Sequence, residues 1–383
     1  AAEAQTGVSI IRCGNKGTVK STYNKTSTSA CQSIGGLIGS CNPNELTDCY
    51  NTGKIEFTNP VAIYGVGGLI GTANGDAAAP EGLRLTGCYN TADIEAGWTI
   101  GGLVGNVNAT AAMPNPMVLR RCYNSGNLTS KATASKSSTG MGGLLALFTP
   151  GTLVDSCYNT GTITQSAKCT YAGGLIGYYK IAPTEALPMT ISNSYNAGTV
   201  NAVGNQGGGI IAYTQHYTTI ADCYNTGTVT GGFGLGGITA NLGSATARML
   251  RCYNTGKISS NKNRAGGLIG WNSSNSTVED CFNAGEVEIT IDPVENANNH
   301  NLTDGYSAGG LAGASAASYV RCYNIGTVTG KCRVGGLVGE TSKNTTSFTS
   351  CYNAGKLVAP VDTCGNIIGI NPVNNGRYWT ADN

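Results

Sequence analysis

The sequence predicts an all-β chain: a β-solenoid, or β-helix, of about eleven repeats, read as one elongated domain with loop insertions. Three observations predict it. A box reading Cys-Tyr-Asn-x-Gly recurs along the chain. A second box, Gly-Gly-Leu-Ile-Gly, alternates with it in constant order. Around the boxes, polar and apolar residues alternate with period two, as in half-buried strands.

The period comes first. The cysteine box or a close variant begins at Cys13, Cys49, Cys88, Cys122, Cys157, Ser194, Cys223, Cys252, Cys281, Cys322 and Cys351. The shortest spacing, 29 residues, is the bare unit, and spacings up to 41 carry insertions. The glycine box begins at Gly35, Gly67, Gly101, Gly142, Gly173, Gly208, Gly236, Gly266, Gly309, Gly335 and Gly365. Each unit is therefore expected to hold two short extended segments plus turns. Helices are excluded, because each interior glycine costs a helix about 1 kcal/mol relative to alanine.

Within Arg251-Cys252-Tyr253-Asn254-Thr255-Gly256-Lys257-Ile258, alternation puts Cys, Asn, Gly and Ile on one face. The residue before the cysteine is usually polar, which places the cysteine inward. Asparagine holds the next inward place in every unit. Asn51, Asn90, Asn124, Asn159, Asn196, Asn225, Asn254, Asn283, Asn324 and Asn353 are expected to stack into a side-chain ladder, with Asn15 in the first unit. The glycine that follows marks a corner, through either a clash or a positive φ. In the glycine box the third residue, Leu or Ile, is expected in the core. The fourth, which admits Thr239 and Ala312, is expected under thinner cover.

The aromatic place of the box points outward. Tyr50, Tyr89, Tyr123, Tyr158, Tyr195, Tyr224, Tyr253, Phe282, Tyr323 and Tyr352 form a candidate stripe for stacking on sugars or a partner, unless the rings cover one another. Insertions after Gly71, Gly105 and Gly177 share one circuit position and form a candidate loop patch, with Tyr178, Tyr179 and Met189 as its apolar residues. Other insertions precede the glycine box, around Phe57 to Val66, Thr129 to Gly140 and Val287 to Ala308.

There are 15 cysteines. Ladder thiols are expected to be free and buried, because stacked parallel Cβ vectors suit a disulfide poorly. Cys31 with Cys41, and Cys332 with Cys364, are candidate disulfide pairs. Zinc finds no Cys-x-x-Cys and only two histidines, His216 and His300, both in loops. No cofactor is expected. The glycine boxes lack the Gly-Lys-Ser/Thr ending of phosphate loops. Asp48, Asp155, Asp222 and Asp280 are scattered among arginines and read as solvated carboxylates. Glu286 to Asp304 is acidic and Asn-rich but lacks a calcium-loop pattern. A net charge of +2 with no basic run argues against nucleic acid, and no apolar run is long enough to enter a membrane.

Taken together, Gly-Gly-Leu-Ile-Gly followed by Asp-Cys-Tyr-Asn-Thr-Gly resembles the GLUG-motif repeats of bacterial surface proteins, from about Cys13 to about Gly369. The departures are Gly14, Ser194 and Phe282. The resemblance implies an extracellular setting, secreted or on the cell surface, as in adhesin-like and cell-wall proteins. Related repeats accompany immunoglobulin-A peptidases outside their catalytic part, and the motif carries no catalytic residue. The expected role is a non-catalytic adhesin or stalk that displays loops to a host or bacterial surface ligand, protein or glycan. The alternatives are a polysaccharide-binding or polysaccharide-cleaving β-helix, and a fibre subunit that associates end to end. Residues 1–383 read as a single repeat domain, with residues 1–30 as a degenerate N-terminal cap region and residues 370–383 as a C-terminal cap or boundary.

Overall fold

The computed structural model describes residues 3–22, 32–42, 44–57, 64–77, 81–110, 115–135, 138–291, 306–341, 346–359 and 364–370. Among these there are only strands and turns, arranged as a parallel β-solenoid. Each coil holds five short strands, where two extended segments were expected. Around Cys252 they are Arg248–Leu250, Tyr253–Asn254, Ile258–Ser260, Ala265–Gly266 and Ile269–Trp271. The extra breaks come from corners that a period-two pattern passes over.

Within each unit, among the described residues, strands pair in parallel with their counterparts one coil away, like residue on like residue. Tyr253 lies beside Phe282, Asn254 beside Asn283, Ile258 beside Val287 and Gly266 beside Gly309. This register satisfies the backbone between coils and stacks each column of the repeat. The chain divides into two units, Ala1–Gly204 and Asn205–Asn383, each built to this plan. In the first, the glycine-box strands Ile38–Cys41, Ile70–Asn74, Val104–Asn108, Leu145–Phe148 and Ile176–Tyr179 follow one another in one sheet. In the second, Ile211–Thr214, Thr239–Leu242, Ile269–Trp271, Ala312–Ser315 and Val338–Thr341 do so.

Cys252, Asn254, Gly256 and Ile258 are buried while Arg251 and Thr255 are exposed. The glycine box differs from its expectation at the fourth residue. Thr239 and Ala312 are as fully buried as Ile238 and Leu311 beside them. The chain bends at the second glycine and third residue, between the strands Ala265–Gly266 and Ile269–Trp271, so alternation is interrupted there and both side chains enter the core.

Two kinds of corner shape the coil. The residue before each ladder position sits in the left-handed region in all eleven units: Arg12, Asp48, Gly87, Arg121, Ser156, Asn193, Asp222, Arg251, Asp280, Arg321 and Ser350, with φ from 49° to 63°. The glycine after the asparagine, replaced once by Ala92, answers by contrast to crowding: among the described residues its φ is never positive. A Cβ at Gly256 would collide with the carbonyl of Gly227 in the adjacent coil, and at Gly326 with that of Gly285.

Candidate functional site

The asparagine column is a continuous hydrogen-bonded ladder within each unit. Asn51 Nδ2 donates to Asn90 Oδ1, Asn90 to Asn124 and Asn124 to Asn159, each at 2.8 Å. In the second unit Asn225 donates to Asn254 at 2.8 Å, Asn254 to Asn283 at 2.9 Å and Asn283 to Asn324 at 2.8 Å. Most of these amides, though not Asn51, also donate to the carbonyl two residues ahead in their own coil, as Asn124 does to Gly126 at 2.8 Å. Every link runs in the same direction, donor toward the next coil. The buried amides are thus spent on one another, as buried polar groups must be.

The aromatic column closes on itself in the same way. In the first unit Tyr50, Tyr89, Tyr123, Tyr158 and Tyr195 stack with ring centroids 4.8–5.3 Å apart and planes within 10°. In the second, Tyr224, Tyr253, Phe282, Tyr323 and Tyr352 stack at 4.9–5.1 Å. The interior rings are half-buried, and burial pushes the Tyr123 and Tyr253 phenols up from their ordinary range. A sugar stacks on a ring face, but neighbouring rings hold both faces of each interior ring. The stripe of open faces expected from alternation is therefore replaced by a row of ring edges. Tyr352, with 52% of its surface exposed, is the most open ring of the column. Gly14 is explained here too: the Tyr50 ring covers it, and a Cβ there would collide with that ring.

Each ladder thiol donates to a carbonyl of its own coil, as Cys122 Sγ does to Arg120 O at 3.3 Å. Cys157 and Cys281 also accept from the previous coil: Cys122 N donates to Cys157 Sγ, and Cys252 N to Cys281 Sγ, both at 3.3 Å. Ser194 fits the column because its hydroxyl does both jobs, accepting from Cys157 N at 3.0 Å and donating to Ser192 O at 2.6 Å. The Cys332–Cys364 pair does not form, and both thiols are free. Cys364 lies in register with Val334, which offsets it from Cys332, and Cys332 Sγ instead donates to Tyr306 O at 3.3 Å. Cys41 is a free, fully buried thiol, pushed up to about 12 by burial. Its candidate partner Cys31 lies outside the described residues.

The candidate loop patch is partly a core. Met189 is fully buried in the strand Met189–Ser192, so it belongs to the interior and not to a surface patch. Strands at the end of each insertion return to the inner sheet, so only the segments between strands are free to project. Tyr178 and Tyr179 are half-buried. Tyr178 stacks on Tyr171 at 4.0 Å and lies 4.2 Å from Tyr179, which meets Phe148 edge-on at 6.2 Å. The insertions of neighbouring coils are joined. Gly75 N donates to Asn108 O at 2.8 Å, and fully buried Asn115 donates to Asn74 O at 2.9 Å while accepting from Leu83 N at 3.1 Å. Gly151 N donates to Leu187 O at 3.0 Å, and Lys180 N to Phe148 O at 2.7 Å. Nothing in the repeat motif signals Asn115. Of the insertions that precede the glycine box, residues 58–63, 136–137 and 292–305 lie outside the described residues, as do His300 and most of the acidic Glu286 to Asp304 segment.

Two carboxylates at the left-handed corner, Asp222 and Asp280, are paired across coils. Arg251 holds Asp222 through two bonds of 2.6 and 2.7 Å, and Arg321 holds Asp280 at 2.6 and 2.9 Å and also meets Glu279. These guanidinium bonds hold the Asp222 and Asp280 carboxyls below their usual range. Asp155 is likewise lowered, by Asn193 and Ser192 at 2.8 Å each. His216 is exposed, and its Nδ1 meets the buried Ser244 hydroxyl at 2.8 Å. A charged groove of about 580 Å³, unforeseen in the sequence, is lined by Lys20, Lys54, Ile55, Glu56, Phe57, Asp93 and Glu95, with Lys54 and Glu56 paired at 2.7 Å. Among the described residues no group of three or more His, Cys, Asp or Glu is placed to hold a metal ion, and no helix is long and apolar enough to cross a membrane. No protein-family model, curated protein or solved structure matches this chain.

Proposed function

We propose that this chain is a non-catalytic scaffold of a bacterial extracellular or surface protein, acting as an adhesin or stalk that presents loops to a protein or glycan on a host or bacterial surface. One observation carries the reading. The residues that repeat are consumed by one another, whereas the residues that vary lie in the insertions, and in the first unit the insertions after Gly71 and Gly105 are joined through Asn115, Asn74 and Leu83. A set of loops held in fixed relation by a rigid stack is what a binding surface requires, because little ordering entropy remains to be lost on contact. The resemblance to GLUG-motif repeats supports the extracellular setting.

The test replaces residues 76–81 and 181–187 with short Gly-Ser turns. Wild-type and loop-replaced chains are then compared on a glycan array and on bacterial and host cell surfaces. Binding by the wild type that disappears in the variant, with far-ultraviolet circular dichroism unchanged, is the expected result. Binding that survives loop replacement would sink the assignment to the loops.

A further inference from the structure

The cysteine column brings sulfur onto sulfur. In the first unit Cys49, Cys88, Cys122 and Cys157 are stacked, fully buried and not in disulfides. The Cys88 thiol hydrogen-bonds with the thiols of both neighbours, Cys49 and Cys122, and the Cys122 thiol with that of Cys157. Ser194 interrupts the run of sulfurs inside the same unit. In the second unit Cys281 is joined in the same way to Cys252 and Cys322.

The backbone completes the surroundings. Cys88 Sγ donates to Leu46 O at 3.3 Å, and Cys322 Sγ to Val278 O at 3.4 Å. Cys122 N and Cys252 N donate to the sulfur one coil on. A sulfur that gives up its proton keeps that N–H bond and accepts it more strongly. Each gap between stacked sulfurs thus presents two soft ligands, one from each coil. Among the described residues no third His, Cys, Asp or Glu is placed with them to hold an ion.

Zinc asks for a tetrahedron of ligands and calcium for a shell of oxygens. A soft monovalent ion such as Cu(I) or Ag(I) takes thiolate sulfur and is satisfied by two ligands in line. Coils repeat about every 4.8 Å. Two metal–sulfur bonds of about 2.3 Å laid end to end span about 4.6 Å. Stacking therefore spaces the sulfurs for linear coordination.

We propose that the cysteine column within each unit binds soft monovalent metal ions, one between each pair of stacked thiols. For each ion taken up, one S–H bond breaks, one metal–thiolate bond forms and the proton leaves for solvent. The second sulfur of the pair completes the coordination through a lone pair. The gap stays neutral, as burial demands.

Silver ion titrated into the reduced, folded full chain tests this, with bound ions counted by native mass spectrometry. Ions that sit in gaps make the count depend on neighbours. Cys122→Ser is expected to bind two ions fewer than wild type, those shared with Cys88 and Cys157. Cys157→Ser is expected to bind one fewer, because Ser194 already holds the next place. Cys281→Ser repeats the loss of two in the second unit. Serine at Ser194 keeps the hydrogen bonds of this column, so the substitutions preserve the stack. One proton is expected to be released per ion, with far-ultraviolet circular dichroism unchanged. An equal loss of one ion from all three variants would mean independent thiols and would overturn the proposal. So would a Cys122→Ser count equal to wild type, or unfolding of the chain by silver.

Discussion

Gly68 and Asn90 face each other across one coil so closely that a Cβ on Gly68 would lie 2.6 Å from Asn90 Cγ, and it would also collide with the carbonyl of Gly102. The two boxes of the repeat are therefore halves of one packing unit. Gly68→Ala is expected to destabilise the chain by about 3 kcal/mol, at the upper end of the cost of overpacking, since the obstructing atoms include backbone. Gly232→Ala meets only the Lys262 side chain, at 3.4 Å, and is expected to change stability by less than about 0.5 kcal/mol. Urea unfolding of the two variants compares them directly; equal midpoints would refute the packing account.

Asn124→Leu removes the acceptor of Asn90 and the donor to Asn159 and Gly126, all of them buried. Each orphaned group costs about 1–3 kcal/mol. The variant is expected to unfold at markedly lower urea than Thr91→Ala, an exposed site in the preceding coil. Hydrogen exchange is expected to show the loss concentrated in the coils of Asn90 and Asn159.

Tyr123→Ala exposes the facing sides of Tyr89 and Tyr158, which stack on Tyr123 at 4.8 and 4.9 Å. Two aromatic contacts at about 0.5–1.5 kcal/mol each, with the lost ring area besides, give an expected loss of about 2–3 kcal/mol. Tyr123→Phe is expected to be nearly neutral, because Phe282 already occupies this column at 5.0 Å from both neighbours. Thermal melts of the two variants check the contrast.

Thiol reactivity should follow position in the stack. Cys13 and Cys364 are exposed, whereas Cys41, Cys88, Cys122 and Cys252 are buried. The hydrogen bond with Cys122, together with burial, pushes the Cys88 thiol up to about 12. In native chain, iodoacetamide followed by peptide mapping is expected to label Cys13 and Cys364 first, and the buried four only on unfolding. Prompt labelling of Cys122 would show that the column is open.

The corner pairs predict a shallow acid limb. Arg251 lowers the Asp222 carboxyl below its unfolded value of about 3.9, so the pair contributes above that pH and is lost as pH falls through the lower folded value. Both side chains are well exposed, at 55% and 40%, so solvent screening holds the contribution to less than about 1 kcal/mol. Asp222→Asn is expected to lower the thermal midpoint slightly at pH 7 and to leave it unchanged near pH 2. A decrement that persists at pH 2 would point to packing instead of charge.

Much of this was legible in residue order. A fixed period with small inward residues defines a stacked coil, and the inward asparagine at every ladder place implies amides that satisfy one another. The left-handed corner was not legible. Gly87, Asn193 and the aspartates are residues that tolerate positive φ, but Arg12, Arg121, Arg251 and Arg321 at the same place hid the pattern. Arg251 and Arg321 are held there by aspartates one coil away, a contact that no local window contains. Met189 was misread for a related reason, since sequence assigned it to an insertion and the register with the preceding coil placed its strand in the core.

By itself the sequence determined the period, the all-β class and the inward side of the cysteine box, because those depend on spacing and on residue size. Only the tertiary structure decided how each column is used. Stacking coils in register turns ten outward aromatics into rings that cover one another, and turns a box residue, Asn366, into the acceptor of the Asn353 amide proton. Those outcomes depend on contacts between residues some 13 to 41 positions apart, which exist only once the coils are stacked.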